Sequence, residues 1–434
     1  MMNNMEHTVF RNKYLISLLF LFSPMVINIG GEVSPTLLFI AVTSPFWIKK
    51  INIETDSILR AFVILFITII IVQIVWFPFA KTDDLTQIKG LLITVSGLMH
   101  FLFYYFVFRR NLSLIKWAVL GTFISDFIFV NVLADIAGDE YGMWKFHTYP
   151  HIVTGCVLFY LWFCGKKRVL KISPLILILI GLLGLFTGAR SAGLVPLMAG
   201  LFTFVVKIRE KVITPKQIVK YASVSVFSLY IAYALVYVPN VLNGNIEGGN
   251  TLQLKRTENP YNPINLLMVG RTDAIIPFIA FFDKPLTGWG YMTSDPNKKY
   301  HRMLTKMSNF NERNRLMDMR SSSNIPGHSI IGFYACSYGI IVFIALLLIL
   351  YKTWKFVILS VSIRDKYLLY RIFGLLSVTW NFFFSPMAHF KWMETSTIAI
   401  IVVLSINAIS ENYKNILVYD ESKNSCVNSD FRKS

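Results

Sequence analysis

Three side chains able to do chemistry stand where apolar segments of the sequence meet polar ones. Arg190 lies in a short turn, residues 187–193 with the sequence TGARSAG, between two apolar stretches. Arg271 stands at the start of one apolar run, and His328 just before another. A guanidinium near a hydrocarbon boundary is unfavourable and usually serves a purpose. A histidine of ordinary pKa, about 6.5, suits a proton acceptor near neutral pH. These residue types are compatible with a cationic site that has a general base.

Each of the three also has a purely structural interpretation. An arginine at a helix end can extend its guanidinium into the lipid headgroup region, which would account for Arg190. Arg271 alone is typical of a solvated loop charge. A histidine at the end of a membrane span, such as His328, often forms only an interfacial hydrogen bond. The choice between these interpretations depends on the elements that position the side chains.

The composition indicates what those elements are. The chain has 434 residues, of which 55% are apolar and 15% charged, and its mean hydropathy is +0.55. A disordered chain has few apolar residues, and a soluble globule of this length cannot bury so many of them. The net charge of +18 is best explained by basic loops on the cytoplasmic side of a membrane, so we expect no nucleic-acid partner.

Twelve apolar segments are candidate membrane spans, since a spanning helix needs about 20 mainly apolar residues. Their cores are residues 14–29, 35–48, 58–77, 88–108, 114–136, 152–164, 172–186, 192–206, 221–238, 330–350, 368–384 and 395–409. The first is interpreted as a retained helix, because no small-residue cleavage site follows it. The fold class predicted is an all-α polytopic membrane protein with twelve transmembrane helices.

The distribution of basic residues predicts the orientation. If the N-terminus is cytoplasmic, the loops on its side receive most of the 42 Lys and Arg residues, alternating correctly at every span. By the positive-inside rule both termini are then cytoplasmic. One long loop, residues 239–328, falls on the outer face and exceeds the length to which this rule applies. Within it, the run 274–282 predicts an amphipathic helix of one or two turns lying on the membrane face.

The chain accordingly divides into five parts. The predicted boundaries are residues 1–171 with spans one to six, 172–238 with spans seven to nine and the Arg190 turn, 239–328 as the long loop, 329–410 with spans ten to twelve, and 411–434 as a polar cytoplasmic tail. The four cysteines show neither a pair in an outer loop nor metal-ligand spacing, so we expect no structural disulfide and no metal site.

Taken in order, the outer motifs resemble those of the O-antigen ligase and O-antigen polymerase superfamily of bacterial inner-membrane glycosyltransferases. The turn 187–193 is similar to the family's T-x-S-R-G/S-A turn. Gly270-Arg271 leads to PLTGWG, residues 285–290, which is similar to P-x-x-G-x-G. His328-Ser329, followed by Gly339, is similar to the H-N/S…G pattern that opens a span. The resemblance covers residues 172–350, and it departs from the pattern at Ala189 and Ser329, where the family often has Ser and Asn.

The resemblance implies a GT-C-like, metal-independent transferase with no cofactor and its site facing the periplasm. The donor would be a glycan on undecaprenyl pyrophosphate, whose lipid tail lies in the bilayer. By position, Arg190 and Arg271 would hold the pyrophosphate and His328 would take the proton from the acceptor hydroxyl. Arginine forks bind phosphate oxygens bidentately, and such bonds strengthen as the leaving group gains charge. Four residues of the long loop are substrate-binding candidates: Gly288, Trp289, Gly290 and Tyr291.

The favoured activity is that of an O-antigen polymerase, which joins lipid-linked repeat units of a surface polysaccharide, with a chain-length regulator as a conceivable further partner. One alternative is an O-antigen ligase, which transfers the finished polymer to lipid A core. The second alternative is a lipid-linked oligosaccharide flippase. A long outer loop is of little use to such a transporter.

Overall fold

Most of the described chain is α-helix, and the helices follow the long apolar segments of the sequence. The structure is a computed structural model. It describes residues 12–25, 27–28, 32–80, 82–137, 144, 148–187, 189–208, 217, 220, 223–224, 227, 230–231, 233–245, 254, 257–307, 324–385 and 393–430.

The helices are numbered in chain order. They are α1 (Lys13–Phe22), α2 (Pro35–Trp47), α3 (Ser57–Trp76), α4 (Asp84–Arg110), α5 (Ile115–Ala137), α6 (Tyr149–Phe163), α7 (Lys167–Phe186), α8 (Arg190–Ile208), α9 (Val238–Leu242), α10 (Pro263–Gly270), α11 (Thr272–Asp283), α12 (Lys299–Met307), α13 (Ile330–Tyr338), α14 (Ile340–Val361), α15 (Leu368–Phe384) and α16 (Met393–Asp430). Two short strands, β1 (Ile27–Asn28) and β2 (Glu32–Val33), form an antiparallel pair after α1.

Several of these helices can cross a membrane, so the chain is an all-α, multi-pass membrane protein. Five described segments are long and apolar enough: Ser57–Phe79, Asp84–Arg110, Lys167–Phe186, Ile340–Val361 and Glu394–Tyr413. The bent pair α10 and α11 adds a sixth if it is counted as one span. The other predicted cores form shorter or partly described helices, and several positions of the ninth, residues 221–238, lie outside the described residues. The total of twelve spans stays a prediction.

Two predicted cores are wrong as continuous helices. Core 14–29 ends as a helix at Phe22, because Pro24 lacks the N–H that a further turn would need. Core 330–350 is two helices, α13 and α14, which separate at Gly339. At φ +81° and ψ −168° Gly339 occupies backbone space that is open essentially to glycine alone. The helix expected over 274–282 extends further, over Thr272–Asp283.

The hairpin of α7 and α8 shows how small residues position the Arg190 turn. A Cβ built on Gly181 would lie 2.5 Å from the backbone nitrogen of Leu197, and one on Gly193 would lie 2.8 Å from the carbonyl oxygen of Gly181. Backbones can approach this closely only where side chains are absent, as at many membrane helix interfaces. The two helices therefore form a tight pair, which packs against α15 through α8.

Candidate functional site

The candidate site lies where the helices α11, α13 and α15 meet. Arg271 occupies the break between α10 and α11, whose axes differ by 88°. His328 and Ser329 immediately precede α13, which packs against both α11 and α15. We call this end of the bundle, defined by residues 257–307 and 324–329, the loop end.

Arg271 lies against an aromatic pair at the end of α15. Its guanidinium carbon is 5.7 Å from the ring centroid of Trp380 and 5.9 Å from that of Phe384. These distances are within the range of cation–π attraction, and the two rings pack against each other with centroids 4.5 Å apart. The half-buried guanidinium is thus oriented by α15, which makes a freely solvated loop charge a poor description of Arg271.

His328 is tied to the first turn of α11. Its backbone N–H donates to the carbonyl oxygen of Asp273 at 3.0 Å, and its Nδ1 atom lies 3.5 Å from the Asp273 carboxylate. The His328 side chain remains 56% exposed, so the imidazole is open to solvent. Asp273 also lies within electrostatic range of Arg271. The structure therefore brings two of the three predicted catalytic residues, Arg271 and His328, into the neighbourhood of one carboxylate, that of Asp273.

Ser329 secures the start of α13. Its side-chain oxygen accepts the backbone N–H of Gly332 at 3.0 Å, which caps the helix. The same hydroxyl lies 3.3 Å from the carbonyl oxygen of Phe382 and donates to it. Phe382 lies between the two aromatic residues that contact Arg271. The residue following His328 is thereby bonded to the stretch of α15 that orients the guanidinium.

The turn 285–290 holds the other end of α13. The backbone N–H groups of Trp289 and Gly290 donate to the carbonyls of Cys336 and Ser337, at 2.8 and 2.9 Å, and Ile340 N–H donates to Pro285 at 2.7 Å. The last turn of a helix leaves carbonyl groups without partners inside the helix, and this turn supplies donors for them. Gly288 must be glycine because a Cβ there would lie 2.4 Å from the backbone of Ser337.

The aromatic residues of this turn are anchored by the protein itself. The indole N–H of Trp289 donates to the carbonyl of Ala280 at 2.8 Å. Tyr291 is only 7% exposed, its ring lies beside Phe333, and its backbone N–H donates to Gln87 of α4 at 3.3 Å. The described contacts of Gly288, Trp289, Gly290 and Tyr291 are thus structural, and sugar binding by these residues stays a prediction.

Arg190 begins α8, and its backbone is described although Gly188 is not among the described residues. Ala189 is fully buried in a cluster with Tyr149, against which Phe373 of α15 packs. Trp380 follows Phe373 by seven residues, which is about 10 Å along a helix axis. The turn that carries Arg190 therefore packs, through the cluster of Ala189, against α15, about two helical turns along that helix from Trp380.

Three residues of this region were not predicted from the sequence. Asp273 contacts His328, and Trp380 contacts Arg271. Glu394 is 1% exposed at the start of α16, where it accepts the side-chain amide N–H of Asn381 at 2.7 Å. An acidic residue in the first turn of a helix is an ordinary feature of helices, so Asp273 carried no separate signal. Its proximity to His328 arises only when α11 packs against α13.

No group of three or more His, Cys, Asp and Glu side chains that could hold a metal ion occurs within the described ranges. What the described residues provide is a cation, a carboxylate and an imidazole beside an aromatic pair. Such a set can bind an anionic group and accept a proton. No protein-family model matches the chain, and no curated protein matches it either.

Proposed function

We propose that this protein is an O-antigen, or surface polysaccharide, polymerase that joins undecaprenyl-pyrophosphate-linked repeat units at the periplasmic face of the bacterial inner membrane. The observation that carries the proposal is the convergence of Arg271 and His328 on Asp273 at the loop end. The transferase chemistry needs a cation for the diphosphate and a base for the acceptor hydroxyl. Both groups are available here, on a chain apolar enough to hold a lipid-linked substrate.

In the proposed reaction the acceptor hydroxyl attacks the anomeric carbon of the donor glycan. A bond forms between that carbon and the acceptor oxygen, the proton passes to His328, and the bond from carbon to the diphosphate oxygen breaks. The electron pair stays on the departing polyprenyl diphosphate. Arg271 and Arg190 stabilise that growing charge, because charge-assisted bonds gain most where charge develops in the transition state.

The first test is the lipopolysaccharide pattern of a strain that lacks this protein. Core capped with a single repeat unit identifies a polymerase, because ligation still occurs without chain extension. Uncapped core with intact lipid-linked polymer identifies the ligase and contradicts the proposal. Purified protein should also extend lipid-linked repeat units in detergent, where there is no membrane to cross. A flippase would not produce polymer there.

The second test replaces the three side chains. Arg190→Ala, Arg271→Ala and His328→Ala should each abolish visible chain extension while the protein still inserts. Loss of one charge-stabilising donor typically lowers kcat by about 10²–10³-fold. Arg302→Ala, which removes an exposed arginine of α12, is the matched control. Wild-type banding in one of the three variants would remove that residue from the site.

A further inference from the structure

The carboxylate of Asp273 lies beside the candidate base. It lies 3.5 Å from Nδ1 of His328, while the backbone of the same two residues is joined by a 3.0 Å hydrogen bond. The residues are far apart in the sequence. Their side chains are adjacent because the start of α13 is bonded to the first turn of α11.

This backbone hydrogen bond holds the Asp273 and His328 side chains close to each other. Asp273 stands in the first turn of α11, where the helix dipole favours a negative charge. His328 precedes the capping residue Ser329. Both side chains stand at helix ends. The carboxylate lies near Nδ1 of the imidazole, and the His328 side chain is 56% exposed.

We infer that Asp273 is a positioning residue that orients the imidazole of His328, a role that rests on the proposed transferase function. Its carboxylate accepts the Nδ1–H group and thereby selects the tautomer in which Nε2 carries the lone pair. The acceptor hydroxyl gives its proton to Nε2, and the carboxylate stabilises the imidazolium that forms without taking the proton. Hydrogen bonds of this kind are often long without substrate and tighten in the complex.

Other charged groups on the surrounding elements do not take the place of this carboxylate. Arg271, at the break before α11, is directed onto the aromatic pair of α15. Glu394 of α16 is bound to Asn381 of α15. Arg371 of α15 pairs with Asp365 at the opposite end of that helix. In the described part of the chain, Asp273 is the carboxylate that contacts His328.

The test compares Asp273→Asn with wild type in the detergent assay. The amide keeps the shape and the backbone bond but lacks the charge, and it can donate to Nδ1 and select the wrong tautomer. The kcat should therefore fall by about 10²–10⁴-fold, the contribution of a general base. KM for the lipid-linked repeat unit should change less than about twofold, since binding is unaffected.

Three further variants make the result specific. Asp273→Glu retains a carboxylate and should recover a large part of kcat. Asp283→Asn removes an exposed carboxylate at the far end of α11, which pairs with Lys299 at 2.5 Å, and should behave as wild type. Asp273→Asn combined with His328→Ala should be no slower than His328→Ala alone, because the carboxylate acts through the imidazole.

Two results would overturn the inference and one would overturn the proposed function instead. Unchanged kcat in Asp273→Asn removes any positioning role. Reduced kcat with a clearly raised KM, and no recovery in Asp273→Glu, identifies a structural role. If Asp273→Asn does not fold, the kcat and KM of Asp273→Glu decide between the same outcomes. Wild-type protein that makes no polymer refutes the transferase proposal, whatever the variants do.

Discussion

Gly339 separates α13 from α14, and replacing it with alanine should disrupt the junction that supports the candidate site. Its backbone has φ +81° and ψ −168°, a region that is essentially restricted to glycine and costs other residues roughly 1–3 kcal/mol. The residue lies one position after the helix that starts beside His328. Any shift of Gly339 is therefore transmitted along α13 to the base.

A second penalty comes from the contact that a side chain would make. A Cβ at this position would lie 2.1 Å from the carbonyl oxygen of Leu286 and 3.0 Å from that of Pro285. Both are backbone atoms, so they can yield only if the turn 285–290 moves. Overpacking of this kind costs about 1–3 kcal/mol. With the backbone strain, the total is about 2–6 kcal/mol, against a stability of about 5–15 kcal/mol for a typical protein.

Two quantities are measured for three alanine variants in detergent: the midpoint of thermal unfolding and the rate of polymer formation. Gly165 is exposed and a Cβ there meets nothing within 4 Å, so Gly165→Ala should be neutral. Gly244 has φ +78° with the same open surroundings, so Gly244→Ala reports backbone strain alone. Gly339→Ala carries both penalties and should have the lowest midpoint and the lowest activity.

The order of the three variants decides the question. If Gly339→Ala unfolds at the same temperature as Gly165→Ala, the close approach of the turn 285–290 to α13 is incorrect. If it equals Gly244→Ala, strain is present but the contact with Leu286 is not. A stable but inactive Gly339→Ala would show that the junction positions the site more than it stabilises the fold.

Three other predictions concern Trp380, Asp83 and the requirement for a divalent metal. Trp380→Ala removes a cation–π contact with Arg271 worth about 0.5–2 kcal/mol, so KM for the lipid-linked donor should rise roughly 2–30-fold. Trp380→Phe keeps an aromatic ring and should retain most of the affinity. Equal KM values in both variants and wild type would refute this orientation of the guanidinium. Asp83 caps α4, and hydrogen bonds from Thr86 lower the pKa of its carboxyl group. The charged carboxylate therefore stabilises the start of α4 fully when the pH is above the ordinary pKa of about 3.9. This stabilisation is lost as the pH falls through the lowered pKa. Asp83→Asn should make amide hydrogen exchange in the first turn of α4 less sensitive to acid, and an unchanged pH dependence would contradict the assignment. Polymer formation should persist in the presence of a chelator, and a loss that added divalent metal restores would refute a scheme that relies on arginine alone.

The helices themselves were largely predictable from the sequence. The core 368–384 has the same bounds as α15, and the core 58–77 differs by one residue at each end from Ser57–Trp76. Long apolar runs bounded by charges allow few alternatives, because backbone polar groups in lipid must pair within their own segment. The break at Gly339 was not predicted, since an isolated glycine within an apolar run does not reveal that another backbone segment approaches it.

The candidate site was predictable in its residue types but not in its arrangement. Arg271 and His328 were singled out because their positions match the ordered motifs of the resemblance, and because a cation and a titratable group there suit the chemistry that it implies. The partners of these two residues, Trp380 and Asp273, are ordinary residues of their helices, and no local pattern distinguishes them. They become significant only through the contacts between α11, α13 and α15.

The sequence by itself determined that this is a helical membrane protein with its chemistry-bearing side chains at the ends of apolar segments, because hydropathy and charge are properties of each segment alone. Only the tertiary structure decided that the guanidinium of Arg271 lies on Trp380 and that His328 is joined to Asp273. Those contacts depend on how separate helices pack, and packing is set by side chains and glycines that are distant from the site in sequence.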